Sequence, residues 1–292
     1  MAGKRGSAGV GADAACAGGV SLVARPSAAA LRPLIRSFGY AEARFAHAAE
    51  IVLPNGGPQL LVNLDLDELR STVPADPGGD RRTRGAAVQG PSTGPVVVDP
   101  AQQRAVVWVA FRTAGAHPLL GVPLSAVRDQ LVGLDDLWGG DGTVLRERLL
   151  AAHAAGGPQA CLRELEAALL ARAAAQDGPD PAVLAAAARL DRGASVRTAA
   201  DQLGWTPRRL TARFDVEMGL SPKRYARVRR FQRLLARVNA SADPPDWALL
   251  AADGGYHDQA HLIHEFRALA GMTPTAYAPR SAAEPNHVPL DG

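Results

Sequence analysis

Residues 195–225 read SVRTAADQLGWTPRRLTARFDVEMGLSPKRY, and residues 247–277 read WALLAADGGYHDQAHLIHEFRALAGMTPTAY. Laid one over the other, Ala199, Ala200, Leu210, Phe214, Gly219, Pro222 and Tyr225 recur as Ala251, Ala252, Leu262, Phe266, Gly271, Pro274 and Tyr277, every pair 52 residues apart. One offset shared by seven pairs marks an internal repeat. Each copy reads as the same unit: a short helix with one apolar face, a turn near a glycine, a second amphipathic helix closed by glycine, then a third helix.

In the first copy Val196, Ala199, Ala200 and Leu203 fall at i, i+3, i+4 and i+7, one face of a helix that Gly204 closes. A second helix opens at Thr206-Pro207, with the hydroxyl as N-cap and proline at the first helical position, where its missing N–H costs nothing. Two helices joined by so short a turn form a helix-turn-helix unit. The second helix buries Leu210, Phe214 and the Glu217–Met218 edge; Arg208, Thr211, Ala212 and Asp215 lie opposite, on the face available to a DNA groove. The third helix starts at Ser221-Pro222 and carries Lys223, Arg224, Arg227, Arg229, Arg230, Arg233 and Arg237 without an acid through Asn239. Tyr225, Val228, Phe231, Leu235 and Val238 trace its apolar seam, so one side can face protein and the other phosphate.

These residues carry a resemblance to the DNA-binding region of the AraC/XylS family of bacterial transcription regulators. The second copy is the more specific match, through Gly255-Tyr256, Asp258-Gln259, Leu262, Glu265-Phe266-Arg267, Gly271, Thr273-Pro274 and Tyr277. The resemblance covers roughly the last third of the chain. It implies two helix-turn-helix units joined by one long helix, here Ser221 to Asn239, that place two recognition helices in successive major-groove segments about one helical turn apart. At the family's base-reading positions the second unit offers Gln259, Ala260, His261, Ile263 and His264. In the first unit Arg208 is the candidate for bidentate pairing with guanine, as Gln259 is for adenine, while Thr211, Ala212 and Ile263 can contact a thymine methyl. Phosphate contacts are expected from Arg209, Arg213, Lys223, Arg224, Arg227, Arg230 and Arg267. One departure stands out. Where the family often has basic residues after the phenylalanine, this chain has Asp215 and Val216, so that helix end should avoid phosphate.

Charge agrees with a local footprint. Of the net +3, residues 191–280 contribute +5, with 14 Lys and Arg against 9 Asp and Glu, which leaves −2 elsewhere. The chain of 292 residues is long enough for two domains, and 47% hydrophobic residues is ample for their cores. The expected class is α+β, a small mostly-β N-terminal domain, a helical connector and an all-α C-terminal domain. Residues 1–24, rich in Gly and Ala and without a signal-like apolar core, read as a disordered tail. Residues 25–123 read as the mostly-β domain, 124–176 as the connector, 177–181 as a linker, 182–282 as the double helix-turn-helix domain and 283–292 as a second tail.

In the front domain Glu50–Leu53, Gln59–Leu64, Pro95–Val98 and Arg104–Phe111 are apolar runs bounded by turn formers, as strands are. Ala28–Ile35 reads as a short helix broken at Pro33, and Ser71–Gly94 as a polar loop. After Pro123 the pattern turns helical over Leu124–Leu131, Thr143–Ala154, Pro158–Ala175 and Pro181–Asp191. The front domain sits where the AraC/XylS family carries a cupin-like sensor. The phrase His117-Pro118-Leu119-Leu120-Gly121-Val122-Pro123 with Leu134-Asp135-Asp136-Leu137-Trp138-Gly139 resembles the N-terminal region of one subset of that family. An effector pocket would be concave and apolar with a few polar groups, and His47, Asn63, Trp108 and Phe111 are its candidate lining.

Other chemistries find little support. His257, His261 and His264 share a helical spacing but read as surface or DNA-facing, with no cysteine near, so no metal is expected. Cys16 and Cys161 lack the companions of an alkyl-accepting or disulfide site. Glu50, Asp65, Asp67 and Glu68 keep no telling spacing to a His, Ser or Lys, so neither an enzyme nor a cofactor is expected. The reading is a cytoplasmic, sequence-specific transcription regulator. Its partner is double-stranded DNA, with a small-molecule effector, RNA polymerase and a second copy of the chain as further candidates, and no membrane. Two alternatives remain at this point: a front domain that serves only interaction or dimerisation, and an architectural DNA-binding role.

Overall fold

Short runs of alternating polarity punctuated by glycine and proline build two antiparallel sheets in the front half of the chain. The structure, a computed structural model, describes residues 20–74, 76, 78–174, 177–241 and 243–290. The larger sheet has the order β1 (Val20–Ala24), β2 (Ile35–Glu42), β9 (Ala105–Phe111), β4 (Gln59–Asn63), β7 (Ala86–Gln89), β10 (Leu131–Gly133). The smaller has the order β11 (His287–Leu290), β3 (Ala49–Val52), β8 (Val96–Val98), β5 (Leu69–Thr72), β6 (Asp80–Thr83).

Register decides what the larger sheet buries. Phe38 faces Val109, Tyr40 faces Val107, and Leu60 pairs with both Val109 and Val88, so these side chains share one face. That face takes α3 (Gly140–Ala173), whose Leu145, Leu149, Cys161, Leu162, Leu165 and Leu169 join the same core. Two short helices, α1 (Ala116–Leu120) and α2 (Leu134–Trp138), close its end. There the Leu119 carbonyl accepts from Trp138 Nε1 at 3.1 Å and Arg172 Nε at 2.8 Å, and the Arg172 guanidinium lies over the indole. Helix α3 bends at Gly156 and Gly157, ahead of Pro158, where the backbone leaves helical angles (φ 64, ψ −160 at Gly157). The two helical stretches read from sequence are therefore the two arms of one kinked helix.

The C-terminal half is helical: α4 (Pro181–Asp191), α5 (Val196–Asp201), α6 (Pro207–Met218), α7 (Pro222–Ala240), α8 (Trp247–Gly254) and α9 (Gln259–Ala270). Its class and the front β domain match the sequence expectation.

Several expectations change. Val20–Ala24, placed in the disordered tail, is the edge strand of the larger sheet; residues 1–19, Cys16 among them, lie outside the described residues. The supposed helix Ala28–Ile35 is a single 3-10 turn, Ala29–Leu31, before β2. Leu124–Leu131 is a 3-10 turn and the start of β10. The polar loop Ser71–Gly94 contains β6 and β7, with Ala87 and Val88 fully buried, because three small apolar residues suffice to fill a slot between β4 and β10. The third helix of the second repeat is only the 3-10 turn Pro274–Ala276; Pro279 stops it, and residues 287–290 return as β11 rather than trailing away.

Candidate nucleic-acid interface

The first unit is capped as its sequence demands. Ser195 Oγ accepts from the Thr198 N–H at 3.0 Å, and Thr206 Oγ1 from the Arg209 N–H at 3.2 Å, with Pro207 opening α6. Leu210 and Phe214 are fully buried with Ala199, Ala200, Val183 and Tyr225 in one cluster. Arg208, Thr211 and Ala212 stand exposed on the opposite side, as amphipathic spacing requires. Thr211 Oγ1 donates to the Pro207 carbonyl at 2.9 Å, so its methyl is the group left facing outward chemistry. Arg209 lies over the Trp205 ring, 4.5 Å from its centroid.

The second unit repeats the design with acids as caps. Asp246 accepts from the Ala248 and Leu249 N–H groups, and Asp258 from the His261 N–H at 2.7 Å. That backbone bond, followed by His257, holds the Asp258 carboxyl below the usual carboxylate range. Gln259, Ala260 and His264 are exposed. His261 and Ile263 are half-buried: Ile263 packs on the core of the unit, and His261 accepts from the His257 N–H at 3.1 Å while its Nε2 lies 3.6 Å from Glu265. His257 and His261 are thus engaged with backbone and carboxylates of their own turn, while His264 stays exposed.

The cations divide into two sets. On α7, Arg229 pairs with Asp191 at 3.0 Å and Arg237 with Asp253 at 2.8 Å, while Arg233 donates to the Asp191 carbonyl. Arg227 and Arg230 both meet Glu265, at 3.1 and 2.5 Å. In α6, Arg213 is held by Asp180 and Glu217. Among the described residues, no ion pair or hydrogen bond occupies the side chains of Arg208, Lys223, Arg224 or Arg267, all of them exposed. The sequence expected one face of α7 to offer arginines to phosphate; most of them instead answer acids on neighbouring helices.

Residues 199–280 match the sequence model of a family described as a helix-turn-helix domain. The C-terminal domain is an AraC-type helix-turn-helix domain. With that domain the chain is a DNA-binding regulator, similar to the AraC type over residues 199–280. Residues 24–133 match a second family, described as a domain of unknown function, DUF6597. Among solved structures, two of ToxT from Vibrio cholerae are similar over 82% of this chain and 96% and 97% of theirs, at 8% and 7% identity and TM-scores of 0.43 and 0.44. No curated protein matches the chain. Among the described residues no helix is long and apolar enough to cross a membrane.

The AraC-type domain is held by the front domain at both of its units, through residues that sequence reasoning passed over. At the first, Arg128 donates from Nη2 to Asp215 and from Nε to the Gly219 carbonyl, the two ends of the last turn of α6. Gly219 closes that helix at φ +68, and a Cβ there would stand 2.5 Å from Pro91 Cγ and 2.7 Å from the Leu124 carbonyl, so the contact requires glycine twice over. Asp215, out of place as a phosphate neighbour, has its partner here. At the second unit Ile51, Leu53 and Val288 enter the core of Val228, Phe231, Leu262 and Phe266. Gln232 Nε2, on α7, donates to the Pro54 carbonyl and to Asn286 Oδ1, each at 2.8 Å.

Behind that contact lies Glu50, fully buried on β3. It accepts from Arg280 Nη1 at 2.9 Å, hydrogen-bonds His47 Nε2 at 2.9 Å, and also hydrogen-bonds His287 on β11. Burial pushes its pKa upward, but the His287 hydrogen bond and charge, with Arg280 and His47, outweigh it and bring the group down to about 2. The Asp180 N–H, at the end of the expected linker, donates to Glu217 at 3.1 Å, which ties that segment to α6.

The four candidate effector residues are not brought together. His47 belongs to the Glu50 cluster; Asn63 is fully buried and ties a turn through Asp65 N–H, Leu66 N–H and the Glu68 carbonyl. Phe111 is in the α3-facing core, while Trp108 lies on the other face of the same strand, against Gly39 and Leu61. A cavity of about 430 Å³ opens instead on the smaller sheet, where Arg70, Thr72, Asp80, Arg82, Val97 and Asp99 line it. Cys161 is fully buried and burial raises its thiol to about 11, which makes it core.

Proposed function

We propose that the chain binds two successive major-groove segments with α6 and α9, and that its front domain sets how the two helices are presented. The observation that carries this reading is the pair of outward faces, Arg208, Thr211 and Ala212 on α6 and Gln259, Ala260 and His264 on α9, on either side of the 19-residue α7. At 1.5 Å rise per residue α7 is about 28 Å long, on the order of one turn of B-DNA. Free cations at Lys223, Arg224 and Arg267 would supply phosphate contacts, and Arg209 would add to them from its place on Trp205. Arg208 and Gln259 would read bases. Binding of the wild type and of Arg208→Ala and Gln259→Ala to duplexes carrying every single base change tests this assignment. Each variant should lose selection at its own base pair, and loss spread evenly over all positions would move that residue to the phosphate set.

The front domain is proposed as a regulatory module that acts through protein contacts, since Arg128, Ile51, Leu53 and the Glu50 cluster all hold the AraC-type domain. A small polar effector would fit the charged cavity on the smaller sheet, whose size lies within the ligand range. RNA polymerase and a second copy of the chain are the protein partners proposed for the bound regulator, and the cytoplasm is its proposed place.

A further inference from the structure

The geometry points to Glu265 as a positioning residue for sequence readout: it withholds Arg227 and Arg230 from phosphate and fixes α9 against α7. This inference rests on the paired-readout reading above and deepens it. Glu265 is a recognition-helix carboxylate that is 8% exposed, which is costly unless the group is paired. Arg230 Nη2 donates to it at 2.5 Å, and Nη1 of the same guanidinium donates to the Gly255 carbonyl at 3.1 Å, in the turn between α8 and α9. That guanidinium also lies 4.7 Å from the Tyr256 ring centroid. Arg227 Nε stands 3.1 Å from the other carboxylate oxygen, close enough for charge attraction although its N–H makes no hydrogen bond. One acid thus joins the connector, the turn and the recognition helix of the second unit.

Two consequences follow from the charges. Two guanidiniums facing one carboxylate present a net +1 where the bare arginines would present +2, so backbone affinity that any DNA sequence could use is reduced. In return α9, which has no cation of its own before Arg267, is held in one orientation by the charge-assisted Arg230 hydrogen bond with Arg227 beside it, rather than by phosphates. Specificity is a difference between affinities, and lowering the sequence-blind term raises it.

The test compares wild type, Glu265→Gln and Arg227→Gln in the full chain. Three quantities are read: binding to a random duplex against salt, base enrichment in selected duplexes, and the urea midpoint. For Glu265→Gln we expect tighter binding to the random duplex and a salt slope steeper by about 1. Discrimination in the block read by α9 should fall about tenfold while the block read by α6 keeps its own. A loss of stability alone cannot tighten nonspecific binding. For Arg227→Gln we expect an unchanged salt slope, because that cation does not reach phosphate; this variant carries the test if Glu265→Gln fails to fold. A slope flattened by about 1 in Arg227→Gln, or an unaltered α9 block with an unaltered slope in Glu265→Gln, would overturn the inference. If the wild type itself enriched fewer than two blocks, the paired-readout reading would fail, and this inference with it.

Discussion

The two helix-turn-helix units share a core and differ in almost everything around it. Leu210 and Leu262 are both fully buried, and Phe214 and Phe266 are at most 1% exposed, each ring in edge contact with a tyrosine 11 residues on, Tyr225 or Tyr277. Around these cores α6 opens with Arg208 and Arg209 and carries Asp215 at the start of its last turn, where Arg128 of the front domain holds it. Helix α9 opens on an aspartate cap with no cation before Arg267, and its acid, Glu265, turns inward to α7. The first unit continues into a long helix, whereas the second ends in a 3-10 turn and sends its chain back as a strand of the front domain. The repeat keeps what folds the unit and varies what surrounds it: on the proposed reading the first copy would grip DNA electrostatically, and the second would be held still while it reads.

The largest expected effect breaks this comparison at its shared part. Phe214→Ala and Phe266→Ala should each cost about 3–5 kcal/mol in urea denaturation, as emptied aromatic sites do. Only Phe266→Ala should also raise hydrogen exchange in β3 and β11, since its cluster includes Ile51 and Val288. Exchange raised equally by both would mean that the second unit is not specially joined to the front domain.

Acid should separate the two anchorages. Glu50 is depressed from its ordinary 4.5 to about 2, so it contributes stability above pH 4.5 that is lost as pH falls through 2. The full loss is roughly 3 kcal/mol. Protection of β11 should fall through that window, and Glu50→Gln should remove the pH dependence there. A pH-independent β11 would show that apolar packing alone holds it.

How much of this was legible beforehand follows the range of the interactions. The caps at Thr206 and Ser221, the 52-residue offset and the buried edge at Glu217 are local or periodic, and all could be read from the chain. In the front domain β3, β4, β8 and β9 announced themselves as apolar runs, but β6 carries two arginines and β7 rests on alanines, so neither carried a strand signal. The contacts that matter most between domains join residues far apart: Glu50 to Arg280 spans 230 positions and Arg128 to Asp215 spans 87. No period or spacing encodes such pairs. Asp215 alone gave a hint, as an acid where the AraC resemblance leads one to expect bases.

Two smaller effects sharpen the division of labour. Arg208→Ala should cost about 1–3 kcal/mol at one base pair of the α6 block and leave the α9 block as it was. An effect on both blocks would mean that the units do not read separately. Arg128→Ala frees the last turn of α6 from the front domain, and a partly exposed charged pair of this kind is worth about 1 kcal/mol. Its signature should be faster amide exchange at Gly219 and Leu220 with the α9 block unchanged; an unaltered exchange rate would remove Arg128 from the anchorage.

The most direct measurement is selection of bound sequences from random duplex DNA by the full chain at fixed salt, with a control that ends before Asp191. The account predicts two short enriched blocks about one helical turn apart, with none from the control. A single block, or retention without any enriched sequence, would contradict it.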